Sequence, residues 1–125
     1  MLTVTIKNQF ESAVKLYGYE GDCANIHGHT YQVSVSFYNI DTKADMVVDY
    51  YEAKTWVEKA IAPLDHRFIN EVKPFDKRNP TTENIAKWLF EQINKLTTKD
   101  VNISDVTLSE NNAFSVKYAP DLKNT

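Results

Sequence analysis

His27-Gly28-His29, with the thiol of Cys23 four residues upstream, is the densest set of proton- and metal-binding groups in the chain. Residues two apart on a strand point to one face, so both imidazoles can reach one ligand or metal ion. They share the parity of Tyr31, Val33 and Val35, which directs them toward the interior. Gly28 removes the side chain between them and permits close approach to the backbone. His-x-His alone better describes a pair of partly exposed histidines at a strand start, because a catalytic zinc takes three protein ligands and two are not enough. Cys23 lies among polar or small neighbours, Asp22, Ala24 and Asn25, where burial as a small hydrophobe is weakly supported. A thiol beside an imidazole or a metal sheds its proton readily and serves as base or nucleophile.

The third and last histidine stands in Asp65-His66, where a carboxylate can orient or charge the ring. Cys, His and Asp are together the parts of a proton relay. Their separation along the chain leaves proximity open. Glu110 closes the apolar alternation Val106, Leu108, Glu110. On that face a carboxylate has to be paired or to bind a ligand, since bare burial costs several kcal/mol. A strand-end Glu in water beside Asn111 is the equal alternative.

These groups need elements to position them. Leu2, Val4 and Ile6 alternate with Thr3, Thr5 and Lys7, and the parity continues through Phe10, Ser12 and Val14, so a first strand reaches that far. Residues 17–26 read as a loop. A second strand opens at His27 and carries Tyr31, Val33, Val35 and Phe37. Ala53, Trp56, Val57, Ala60 and Ile61 then form the stripe of an amphipathic helix over 50–62, stopped by Pro63. Thr81 or Thr82 caps a second helix, whose buried stripe is Ile85, Trp88, Leu89, Ile93 and Leu96. Leu64 to Asn79 is irregular, and its Lys73, Lys77 and Arg78 read as a solvated loop. Val101/Ile103 and Val106/Leu108 make a third strand whose phase slips at Ser104-Asp105, the mark of a bulge. Asn111-Asn112 suits a tight hairpin turn, because Asn tolerates the left-handed conformation. Phe114, Val116 and Tyr118 form a last strand, and residues 121–125 a frayed tail. The order ββααββ predicts an α+β layer, a four-stranded antiparallel sheet with two helices on one face. Its two edges must be blunted or paired with another chain.

The chain has 125 residues, 42% of them hydrophobic and 25% charged, which suits one globular domain over 1–125. Fourteen basic against 17 acidic residues leave a net charge of −3, without the basic face of a nucleic-acid domain. Apolar runs are too short for a membrane span, and the N-terminus lacks a signal-peptide pattern. The single cysteine closes no internal disulfide. These features predict a cytoplasmic, soluble protein.

Phe10-Glu11-Ser12-Ala13, Cys23-Ala24-Asn25-Ile26-His27-Gly28-His29-Thr30-Tyr31 and Val48-Asp49-Tyr50 begin an ordered set of motifs. Leu64-Asp65-His66-Arg67-Phe68-Ile69-Asn70, Asn79-Pro80-Thr81-Thr82-Glu83-Asn84-Ile85-Ala86 and Leu108-Ser109-Glu110 complete it. In order and spacing they resemble the 6-pyruvoyltetrahydropterin synthase and 6-carboxytetrahydropterin synthase family, of the tunnelling fold, over nearly the whole chain. The resemblance implies a lyase acting on 7,8-dihydroneopterin triphosphate and expelling triphosphate. It implies zinc on His27 and His29, Cys23 as catalytic thiol, and Asp65 and His66 completing a proton relay. Glu110 would grip the pterin edge, with Thr81 and Thr82 also on the substrate. The short spacing from Cys23 to His27 is similar to the bacterial 6-carboxytetrahydropterin synthases of queuosine biosynthesis, which also release acetaldehyde. The family assembles as a homohexamer of two trimers, closes its sheets into a barrel and places its sites between subunits.

One position departs. Directly after Phe-x-x-Ala the family has a histidine, its first zinc ligand, where this chain has Val14. Three outcomes follow: Glu20 or Asp22 fills the place, zinc binds weakly through two histidines and water, or zinc is gone and the chemistry has changed. The competing reading is a non-catalytic or altered-substrate pterin- or purine-binding oligomer that keeps Glu110.

Overall fold

A computed structural model describes residues 1–120. The expected tail at 121–125 lies outside them. The order is β1 (Val4–Val14), β2 (His27–Asn39), α1 (Tyr50–Ile61), β3 (Arg67–Phe68), α2 (Thr82–Asn94), β4 (Val101–Ser109) and β5 (Ser115–Tyr118). Short 3₁₀ turns at Asp22–Ala24 and Ile69–Glu71 complete it.

The sheet has five strands in the order β3-β1-β2-β4-β5. The four expected strands pair antiparallel, and the fifth, β3, is parallel to β1 through Ser12↔Arg67 and Ala13↔Phe68. A two-residue strand carries no periodicity. It forms because the segment before it docks on the β1 backbone, the His66 N–H donating to the Glu11 carbonyl at 2.6 Å.

The bulge falls where the phase slips. Ser36 pairs with Asp105 and Phe37 with Ile103, leaving Ser104 as the extra residue. The tight turn at Asn111-Asn112 is corrected: Ser109 pairs with Ser115 across a five-residue loop. Neither asparagine has positive φ, and the Asn111 Oδ1 instead accepts from the N–H groups of Ala113 and Phe114. Phe114 thereby belongs to the loop and is exposed.

Both helices cover one face. Asp49 caps α1 through the N–H groups of Tyr51 and Glu52, and Thr81 caps α2 through that of Asn84. Trp56 and Val57 of α1 and Ile85, Leu89 and Ile93 of α2 bury against Phe10, Val33, Val35, Phe37, Val106 and Leu108 of the sheet. Each fully buried side chain of this size stabilises by about 1.5–3 kcal/mol. No helix among the described residues is long and apolar enough to cross a membrane.

Candidate active site

The register of β1 and β2 decides what meets His27 and His29. Val14 pairs with His27, Ser12 with His29 and Phe10 with Tyr31, so all six share the helix-covered face. The two imidazoles pack edge to face with centroids 4.8 Å apart, and His29 meets Tyr31 at 5.4 Å. Val14 is 2% exposed and fills the place opposite His27. Gly28 has a weaker role than its position implies, since a Cβ there would meet only the Ser12 carbonyl at an ordinary 3.7 Å.

Hydrogen bonds assign one tautomer. The Nδ1 of His27 lies 2.7 Å from the Asn25 carbonyl, which only accepts, so Nδ1 carries the proton and neutral His27 presents a bare Nε2. His29 differs. Its Nε2 is 3.0 Å from the Glu110 Oε2, yet it makes no hydrogen bond to the carboxylate. The contact is an ion pair only when His29 is protonated, and by geometry Nε2 is a buried polar atom without a hydrogen-bond partner. Burial pulls the His29 imidazole below its usual range, with Glu110 opposing and His27 adding to the shift. Tyr31 is 1% exposed, and burial pushes its phenol well above the ordinary range. Glu110 and Cys23 add to that shift. Cys23 is half-buried in its 3₁₀ turn. Gly21 opens that turn at φ 142°, where a Cβ would stand 3.1 Å from the Tyr19 ring. One face thus gathers His27, His29 and Tyr31, with Glu110 beside His29 and the turn of Cys23 tied to the chain just past β1 through the Leu16 N–H.

Asp65 and His66 are elsewhere. His66 stands at φ 58°, unusual for a residue with a Cβ, and its Nδ1 is 3.0 Å from the Asp65 Oδ1. Its Nε2 faces the Glu11 Oε2 at 3.5 Å. Glu11 alternates with Ser12, so this cluster occupies the opposite face of the sheet, with Thr30 donating to Glu11 at 3.4 Å. Within one chain the expected relay of Cys23 with Asp65 and His66 is therefore split between two faces. Parity reasoning could not show this, because 64–79 is irregular. Glu11 itself was missed as a partner; its signal was a carboxylate at an outward strand position beside a motif. Strand alternation gives Tyr31 no role beyond the core, though it follows His29 by two residues on the same face. Thr81 and Thr82 stand at the start of α2, where the Thr81 hydroxyl is taken by the Asn84 N–H at 3.1 Å.

The Asp65 carboxyl accepts the Glu11 backbone N–H at 3.0 Å, the main reason it sits below its ordinary value of 3.8; burial opposes and His66 adds. A depressed carboxyl contributes stability that is present above 3.8 and lost as pH falls through the folded value. Denaturation midpoints should therefore fall on acidification below 3.8, and Asp65→Asn should flatten that limb. An unchanged acid limb in the variant would remove Asp65 from it.

The protein-family description "6-pyruvoyl tetrahydropterin synthase" matches residues 3–121. The chain belongs to the 6-pyruvoyl tetrahydropterin synthase family. It is 36% identical over 105 residues, 84% of each chain, to a dihydroneopterin monophosphate aldolase of Pyrococcus furiosus. It is 34% identical over 102 residues to a 6-carboxy-5,6,7,8-tetrahydropterin synthase of Haemophilus influenzae, covering 78% of this chain and 68% of that one. The 6-pyruvoyl tetrahydropterin synthase of Caenorhabditis elegans superposes with a TM-score of 0.86 over 96% of both chains at 24% identity, which shows the fold.

The family's zinc needs a third ligand, and the donor set here does not fit it. Val14 offers no lone pair. Glu20 and Asp22 are exposed, and among the described residues no three or more His, Cys, Asp or Glu side chains are grouped as a metal site.

Proposed function

We propose that the chain is a pterin-pathway lyase whose Cys23, His27, His29, Tyr31 and Glu110 form the reaction face. The observation that carries this reading is the buried, unpartnered Nε2 of His29 beside the Glu110 carboxylate. A polar atom so placed costs free energy unless a ligand completes it. The substrate is a 7,8-dihydroneopterin phosphate. With the triphosphate, water, loss of triphosphate and loss of acetaldehyde give 6-carboxy-5,6,7,8-tetrahydropterin; without the carbon–carbon step the product is 6-pyruvoyltetrahydropterin. The Glu110 carboxylate accepts two parallel hydrogen bonds from the amino-pyrimidinone edge, which sets orientation as well as energy. The bare Nε2 of His27 takes the proton of a side-chain hydroxyl, and the Cys23 thiolate moves the proton at the adjacent carbon.

A second reading is aldol-type cleavage of the monophosphate. It is favoured by the 36% identity to an aldolase over 84% of both chains. Incubating purified protein with each phosphate, and separating the pterin products, decides between them. Triphosphate release supports the first reading and a shortened side chain from the monophosphate the second. Turnover of neither overturns the lyase reading in favour of a pterin-binding oligomer.

Glu110→Gln should weaken pterin binding by about 10–100-fold, the worth of hydrogen bonds to a charged group. Equilibrium binding of a pterin to the variant checks this. Unchanged affinity would take Glu110 out of the site.

The assembly is a homohexamer of two trimers in the cytoplasm, with the β3 and β5 edges pairing between copies into a barrel. Split placement of Cys23 and His66 supports it, because a neighbouring copy can bring His66 and Asp65 to the thiol. Sedimentation at micromolar concentration tests it, and a monodisperse monomer would overturn it.

A further inference from the structure

Past Val14, where β1 ends, the chain has no strand beside it on the β3 side, yet the backbone N–H and C=O of Lys15 and Tyr17 are paired. The Asn70 carboxamide takes both groups of Lys15: its Oδ1 accepts the Lys15 N–H at 2.9 Å and its Nδ2 donates to the Lys15 carbonyl at 2.8 Å. The Asn79 carboxamide does the same for Tyr17, at 3.0 and 2.9 Å. A carboxamide holds a donor and an acceptor side by side, as the N–H and C=O of one extended residue are, so each asparagine reproduces the two-bond exchange of a hydrogen-bonded antiparallel pair. The residue between them, Leu16, donates its N–H to the Cys23 carbonyl at 2.9 Å. The chain at 15–17 is thus held by two side-chain amides, and Cys23 is tied to its middle.

Both amides have firm footing. Asn70 is 6% exposed in the 3₁₀ turn after β3. The Asn79 carbonyl accepts the Thr81 N–H and the Asn84 Nδ2, each at 2.9 Å, which locks it to the start of α2. Because Thr81 is the cap, the Asn79 side chain is free for Tyr17. Apolar packing offers little alternative hold on the loop, since Tyr17, Tyr19 and Ile26 are all more than half exposed. Gly18 at φ 68° and Gly21 at φ 142° add backbone freedom.

We infer that Asn70 and Asn79 are positioning residues, which fix the register of the 15–26 loop and so keep the Cys23 thiol on the face of Tyr31 and Glu110. The inference rests on the proposed role of Cys23, and the test separates the two. Asn79→Leu keeps the size and removes both bonds; Asn79→Asp keeps the acceptor and loses the donor, and serves if the leucine variant does not fold. Cys23 is the sole cysteine, so its alkylation by iodoacetamide across pH reports the thiol without substrate. Amide exchange at Leu16 and turnover of the dihydroneopterin phosphates complete the set. In the full-length variant, alkylation and Leu16 exchange should each rise by about tenfold, the ratio two bonds of ordinary net worth give. The turnover number should fall by a similar factor with KM unchanged. Loss of stability with the alkylation profile and turnover unchanged overturns the inference. Faster alkylation in Asn79→Leu, together with full activity in Cys23→Ala, upholds the clasp and instead removes the thiol from the chemistry.

Discussion

Val14→His is expected to convert a chain with two adjacent imidazoles into one that holds one zinc per chain. The valine pairs with His27 across β1 and β2 on the shared face, so a histidine there projects toward the existing pair. Three nitrogens are the minimum protein set of a catalytic zinc. The gain in affinity should exceed the roughly 10–100-fold that a mere outer-shell partner is worth. Val14 is 2% exposed, so the larger ring should cost about 1–3 kcal/mol in the metal-free variant. Zinc should recover that loss and raise the melting temperature with metal concentration, as expected when a ligand binds only the folded state. Elemental analysis after dialysis and thermal unfolding with and without zinc check both halves. If the unmodified chain already retains one tight zinc, a group outside the His27/His29 pair supplies the ligand and the two-histidine reading of the site is wrong.

Cys23→Ala should lower turnover of the dihydroneopterin phosphates by about 10²–10⁴-fold, the range a positioned proton-transfer group supplies. Little else should change. Cys23 is half-buried in a three-residue turn and leaves no large cavity when shortened. Its backbone carbonyl, which accepts the Leu16 N–H, survives the substitution. Pterin affinity should therefore hold, because a proton-transfer group acts in the transition state and adds little to binding of the substrate itself. A variant with wild-type turnover would place the acid–base work on His27, His29 or Tyr31 instead. Equal loss of binding and turnover would show that the thiol holds the substrate without moving its proton.

Much of the scaffold was legible because period and parity are local. The alternation from Val4 to Val14 marks β1, and the stripe of Ala53, Trp56, Val57, Ala60 and Ile61 marks α1, with no reference to a partner. The phase slip at Ser104 showed the bulge, since one inserted residue inverts every side chain beyond it. Parity also set His27, His29 and Val14 on one face and aimed Glu110 at it. Motif order and spacing carry the family, and the sequence by itself shows a valine at position 14 in place of the family's histidine. Tertiary structure decided the rest. Only pairing shows that Asp65 and His66 dock on Glu11 and face away from Cys23, because irregular chain has no period from which to read a face. Only geometry leaves the His29 Nε2 without a partner 3.0 Å from a carboxylate, since alignment depends on how two strands cross. The asparagine amides that take the place of a strand beside residues 15 and 17 come from positions 70 and 79. No local pattern links positions so far apart; that choice belongs to the packed chain.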